Sequence, residues 1–269
     1  MCNRYTLYTP VNKIVDACRV EVIEPSAAAY TERYNLSPTN SGLVIFNDYR
    51  DSGKRTIGVK KWGLIPGWSK DKRLKYATFN ATVENVLSSR VYGYPVKKQR
   101  SVIACSGYYE WLNGPDKVKY PVYIHRRDGE PIWIAGLWAS NTYSDEQGTG
   151  CQQTTFTMMT TEPNGYLHPV HNRMVGILES QEEVDAWLDT EGVSAEEAIK
   201  IIEPDDRFPN FHEIGVTPVG RAVNNTRAPD DPRFIQGLVG DELDEVIATC
   251  QTWNKQSGQS LATLYRWSV

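Results

Sequence analysis

Residues 100–111 read RSVIACSGYYEW: β-branched, small apolar and aromatic side chains, with a single acid, Glu110, near the end. Such a run has the composition of a buried strand, and segments of the same kind lie on both sides of it. GLVIFND (42–48) and TIGVKKWGLIP (56–66) precede it; YPVYIHR (120–126), PIWIAGLW (131–138), TTFTMMTT (154–161) and RMVGIL (173–178) follow. Asp128-Gly129 is a turn dipeptide and predicts a hairpin joining 120–126 to 131–138. Helical signals are fewer. Thr9-Pro10 followed by Val11, Ile14, Val15 and Cys18 predicts a helix near 10–20. A second is expected over roughly 82–92. Ser180 with Glu183, and Ser194 with Glu197, have capping-box spacing and open two more. Many strands with few intervening helices predict an α+β fold, a mainly antiparallel sheet or open β-barrel with flanking helices. One unit is expected over 1–235, with a helical and polar extension over 236–269.

The chain's 269 residues, 40% hydrophobic and 23% charged, suit a globular protein with a substantial core. No apolar run has the length of a membrane span, and the N-terminus lacks the pattern of a secretory signal, so a cytoplasmic protein is expected. Five scattered cysteines without a C-x-x-C spacing argue against a disulfide framework and against a zinc site. His168 and His171 are close in sequence but lack a third ligand, and neither metal nor cofactor is expected. Cys18, Cys105 and Cys250 lie among apolar residues and read as buried small hydrophobes. The net charge is −4, yet residues 54–100 carry twelve Lys or Arg against Asp71 and Glu84 alone, a local +10. Such segregation fits one face meeting a polyanion, and it also fits lysines protecting strand edges.

Cys2 stands apart from the other cysteines. If Met1 is removed, the chain begins with an α-amine and a thiol on adjacent carbons. An α-amine titrates near ~7.7–8 and a lysine near ~10.4, so at neutral pH far more of the former is neutral and nucleophilic. The thiol adds a second nucleophile with a pKa near ~8.5. With an aldehyde this pair forms a Schiff base that the thiol closes to a thiazolidine. With an amide the thiol attacks and the amine acts as base. Asn80 in FNATVENV, Glu110 at the end of its strand, and His171 in LHPVHNRMVGIL offer an amide, a carboxylate and an imidazole for orientation and acid–base work. Taken singly, each also reads as ordinary structure: a helix N-cap, a solvated strand end and a loop histidine.

Together, MCNRY at the start, RYNLSPTN (33–40), KWGLIPGW (61–68), FNATVEN (79–85), SGYYEW (106–111), HPVHNRM (168–174) and TPVGRAVNN (217–225) resemble the SOS-response-associated peptidase (SRAP) family, in order and over residues 1 to about 230. The resemblance implies an SRAP-like fold and covalent capture of abasic sites in single-stranded DNA. Cys2 matches the crosslinking residue and Asn80 the asparagine that holds the N-terminus and sugar. Glu110 matches the glutamate of proton transfer, and His171 the histidine beside the opened sugar. Arg4, Arg90, Thr160 and Arg173 match positions of phosphate or backbone contact, and Trp68 would flank the single-strand channel and stack on or wedge against a base, though alone it also reads as a buried core aromatic. The resemblance further implies a monomer that associates with the nucleoid when acting on DNA. Three positions depart from the family pattern: Asn3 for glycine, Thr82 for arginine, and Val175 for proline. Two other readings stay open: a peptidase or amidase with Cys2 as N-terminal nucleophile, and a noncovalent single-strand-binding module.

Overall fold

A computed structural model of the chain describes residues 2–49, 53–73, 76–114, 118–163, 167–203 and 213–257. The chain begins with β1 (Tyr5–Leu7), α1 (Val11–Ala17), β2 (Val22–Ile23), α2 (Pro25–Ala28) and β3 (Arg33–Leu36). Two longer strands follow, β4 (Ser41–Asn47) and β5 (Arg55–Trp62), then the short β6 (Asn80–Thr82) and helix α3 (Gly93–Lys98). The middle of the chain is β7 (Arg100–Cys105), β8 (Gly107–Asn113), β9 (Lys119–Arg126), β10 (Ile132–Ser144) and β11 (Gly150–Thr161). After them come β12 (Met174–Val175), β13 (Ile177–Leu178), α4 (Gln181–Leu188), α5 (Ala195–Ile202), β14 (Ile214–Pro218) and α6 (Asp241–Ser257).

Among the described residues, β11, β10, β7, β4 and β5 pair in that order, each antiparallel to the next, and β5 returns to β11 to close the ring. With an odd number of alternating strands the closing pair must run parallel, and it does, Lys61 opposite Thr155 and Trp62 opposite Phe156. The Trp62 and Phe156 rings stack across that seam at 6.2 Å. Where β5 ends, β6 takes over the same edge of β11, again parallel, Asn80 opposite Met158 and Thr82 opposite Thr160. A second sheet, ordered β14-β9-β8-β1-β3, is antiparallel throughout. The architecture is therefore the α+β fold on a mainly antiparallel barrel and sheet that the sequence predicts.

The 100–111 stretch serves both layers. It is two strands, not one: β7 belongs to the barrel and β8 to the second sheet. The break falls at Ser106, whose hydroxyl accepts the backbone N–H groups of Tyr8 and Thr9, both at 3.0 Å. Gly107 follows because a Cβ there would lie 2.3 Å from the Tyr123 ring. Along β8, Tyr108 and Leu112 enter the main core toward the barrel, while Tyr109 packs on the far side with Tyr123, Val219, Val223 and Phe234. Strand alternation places Glu110 on the same face as Tyr108 and Leu112.

Two local expectations are corrected. Asp128-Gly129 does turn, with Gly129 at φ +75°, but it does not make a hairpin. The edge of β9 that a hairpin would use is taken by β14, Ile214 opposite Arg126, so the chain crosses to the barrel and pairs β10 with β7 and β11. The helix expected over 82–92 is absent: β6 occupies Asn80–Thr82, turns follow, and the helix is α3. Its β-branched residues favour extension, and Val83 N–H is bonded to the Thr160 carbonyl at 3.0 Å, which holds the segment against β11.

Other signals held. Ser180 caps α4, and Ser194 with Glu197 forms a complete capping box on α5. Arg100, 1% exposed, donates to the carbonyls of Val96, Trp187, Asp189 and Val193, tying β7 to the end of α4. Cys18 and Cys105 are fully buried; the Cys250 side chain lies outside the described residues. Past residue 235 the described chain forms α6, whose Val246 is buried in the main core.

Candidate active site

The second sheet delivers the N-terminus to its place. β1 lies between β3 and β8, with Tyr5 opposite Tyr108, so the residues before Tyr5 run along β8 toward Glu110. Tyr109 N–H donates to the Arg4 carbonyl at 3.0 Å and continues that pairing. Cys2 is 1% exposed, and its thiol donates to the Arg4 carbonyl at 3.5 Å. From the opposite side, the Asn80 amide donates to the Cys2 carbonyl at 2.9 Å. The barrel seam and the N-terminal strand thus meet at Cys2. An open cleft of about 720 Å3 lies beside it, walled in part by Asn3, Arg4, Pro38, Thr39, Phe79 and Asn80.

Burial sets the proton chemistry. It pushes the Cys2 thiol well above its ordinary value, and the nearby Glu110 carboxylate pushes it the same way. The thiol is therefore protonated at neutral pH and needs a base. Glu110 is 3% exposed, and burial raises its carboxyl to about 7 against the smaller pull of the amino terminus and Lys119. A carboxyl poised there gives and takes protons with similar ease. His171 follows a turn whose backbone ties it to Leu167, and burial first, then the positive amino terminus, lowers its pKa to about 4. Its Nδ1 accepts the Arg173 N–H at 3.0 Å, which leaves the proton of the neutral ring on Nε2.

Asn80 thus holds Cys2, Glu110 acts on the Cys2 thiol, and Glu110 and His171 both feel the amino terminus and Lys119. The positions matched to DNA contacts are dispersed in character. Trp68 is 51% exposed, donates to the Arg90 carbonyl at 3.3 Å, and lies under the Arg90 guanidinium at 4.7 Å, so these two form one surface unit. Arg4 is engaged within the protein, donating to Asn35 at 2.9 Å and to the Val223 carbonyl at 2.8 Å. Arg173 makes a two-pronged pair with Glu84 at 2.7 and 3.1 Å and bonds the Thr160 carbonyl. Thr160 is fully buried, its hydroxyl on the Ala81 carbonyl at 3.4 Å. Several cations over 54–100 serve the fold: Arg55 pairs with Asp185, Lys60 with Glu24, Lys98 with Glu191, and Arg100 is buried. Among the described residues no cluster of three His, Cys, Asp or Glu is placed to hold a metal ion, and no helix is long and apolar enough to cross a membrane.

Sequence reasoning assigned no role to two residues of this environment. Lys119 contributes positive charge to both Glu110 and His171. Tyr108, 1% exposed, is electrostatically coupled to Glu110, Cys2 and Cys105. The period-2 alternation of SGYYEW was a usable signal for Tyr108. Nothing local signalled Lys119, which arrives on the neighbouring strand.

The chain matches the SOS response associated peptidase (SRAP) family model over residues 1–226. It is 31% identical over 206 residues to the abasic site processing protein YoaM of Bacillus subtilis, covering 77% of this chain and 87% of the relative. It is 38% identical to the abasic site processing protein YMR114C of Saccharomyces cerevisiae over 78% of this chain and 54% of that longer protein. The abasic site processing protein HMCES of Gallus gallus shares 28% identity over 88% of this chain and 79% of its own length. In structure, a protein from Bacteroides thetaiotaomicron superposes with a TM-score of 0.71 at 22% identity, over 88% of this chain and all of that one. Matching over most of its length, and folded alike, the chain belongs to the SOS response associated peptidase (SRAP) family.

Proposed function

We propose that this protein captures abasic sites in single-stranded DNA as a covalent crosslink through Cys2 after loss of Met1. The observation that carries the reading is a buried carboxyl, raised to about 7, acting on the thiol of a cysteine that follows Met1 and whose carbonyl is held by Asn80, a residue that also lines an open cleft. The names of the relatives, all abasic site processing proteins, point the same way. The opened abasic sugar presents an aldehyde. The Cys2 amine adds to its carbon and gives a carbinolamine. Glu110 donates its proton to the carbinolamine oxygen, the C–O bond breaks, water leaves, and an iminium remains. Glu110, now a carboxylate, takes the Cys2 thiol proton as sulfur bonds to the iminium carbon and closes the thiazolidine. Acid and base are regenerated, and one water is lost overall. His171, with its proton on Nε2, serves as hydrogen-bond donor to the opened sugar. Trp68 and Arg90 supply a stacking surface and a charge for the strand outside the cleft.

The family's description favours a second reading, a peptidase with Cys2 as nucleophile. A thiol held well above its ordinary range attacks an unactivated amide poorly, whereas an iminium in the same ring geometry is a far easier target. Capture is accordingly the reading adopted. The test is a denaturing gel of the protein with single-stranded DNA carrying one abasic site or its tetrahydrofuran analogue. Capture predicts a heat-stable band with the aldehyde only, lost in Cys2→Ser. A band with both DNAs, or one surviving Cys2→Ser, would refute it.

A further inference from the structure

The face of β8 that carries Glu110 also carries a tyrosine that the chemistry above does not use. Tyr108 is two residues earlier, is 1% exposed, and its hydroxyl has no hydrogen-bond partner among the described residues. A buried hydroxyl is normally satisfied, and leaving one unpaired costs about 1–3 kcal/mol. Tyr123, on the opposite face of the same sheet, shows the usual outcome: its hydroxyl meets Thr6 Oγ1 at 2.8 Å. The Asn80 side-chain oxygen is likewise buried and unbonded, although its amide holds Cys2. Other buried polar atoms among the described residues are also unbonded, the Tyr5 hydroxyl included, but Tyr108 shares a strand face with Glu110 and Asn80 holds Cys2. Such a grouping suits a site built to receive a small polar group.

We propose that Tyr108 is a further catalytic residue, whose hydroxyl donates a hydrogen bond to the oxygen that aldehyde capture expels as water. The proposal rests on the capture reading and identifies a residue for its dehydration step. The carbinolamine oxygen receives the Glu110 proton and leaves as water; Tyr108 steadies that oxygen while the C–O bond breaks and does not itself lose its proton. Its position fits the task, since it shares a strand face with the acid and sits within the electrostatic reach of the Cys2 thiol.

The test compares wild type, Tyr108→Phe and Tyr123→Phe. Single-turnover adduct formation on abasic single-stranded DNA is followed across pH 6 to 9, with borohydride trapping of the imine. Tyr108→Phe is expected to slow adduct formation by about tenfold or more, and to lower the early yield of trapped imine. Its affinity for the tetrahydrofuran analogue should stay within error of wild type, and its thermal midpoint should be no lower and rise if anything, because an unpaired buried hydroxyl has been removed. The Tyr108→Phe rate should also fall more steeply above pH 7, because dehydration by protonated Glu110 becomes limiting. Tyr123→Phe removes an equivalent hydroxyl from the other face and should leave the rate unchanged. An unchanged rate and imine yield in Tyr108→Phe would overturn the role of Tyr108 and leave capture standing. Absence of any adduct in wild type would overturn capture and this inference with it.

Discussion

Replacing Glu110 with Gln keeps the size of the side chain and removes its charge. Burial raises this carboxyl from its ordinary 4.5 to about 7, so the ionised form is worth about 3 kcal/mol less in the fold than in the unfolded chain. Below pH 4.5 the group is protonated in both states and costs nothing. As pH rises from 4.5 to 7 the unfolded chain releases the proton first and wild-type stability falls; above about 7 the full deficit is present. Glu110→Gln has no proton to lose. Its stability relative to wild type should therefore be flat near pH 4 and rise to an advantage of about 3 kcal/mol by pH 8. For a domain of this size that is roughly 6–12 °C in thermal midpoint. Urea denaturation of both proteins at pH 4, 6 and 8 measures the gap directly. A gap that does not grow with pH would refute the reasoning, for it would mean that the fold accommodates a charged Glu110 without strain. The same substitution should slow crosslinking, so that the variant is more stable and less active at pH 8.

Adduct formation should be bell-shaped in pH, with the acid limb set by deprotonation of the α-amine near ~7.7–8 and the alkaline limb by ionisation of Glu110; a pH–rate profile of Glu110→Gln should lack the alkaline limb. Arg100→Met should destabilise the protein by about 3 kcal/mol or more, because the carbonyls of Val96, Trp187, Asp189 and Val193 lose their shared donor, and chemical denaturation checks this. Arg90→Ala should weaken noncovalent binding of single-stranded DNA and lower its salt slope by roughly one, measured by fluorescence anisotropy. Trp68→Ala should weaken binding by about 1–3 kcal/mol with little change in that slope.

Strand content, the capped helices α4 and α5, and the solitary character of Cys2 were legible because each depends on neighbours in sequence. What was hidden depends on distant chain. The Asp128-Gly129 turn is correct as a turn, but only the return of β14 at Ile214–Pro218 decides that β9 is paired elsewhere. Asn80 reads as a helix cap until β11 is present to receive it as a strand. The charge excess over 54–100 pointed to a polyanion, yet Asp185, Glu24 and Glu191, which pair with three of its cations, come from other parts of the chain. In the site itself, Cys2 and Glu110 could be named from the sequence. That burial would raise both the thiol and the carboxyl, as the proposed capture uses, follows only from the packing of β1 against β8.

The central claim is that Cys2 joins the aldehyde carbon with loss of one water. The direct measurement is intact mass of the purified protein before and after incubation with single-stranded DNA bearing one abasic site, beside Cys2→Ser. The account predicts a starting mass lacking Met1 and a product equal to protein plus DNA less one water, formed by wild type alone. A starting chain that retains Met1, or a processed Cys2 that yields no adduct, would contradict it.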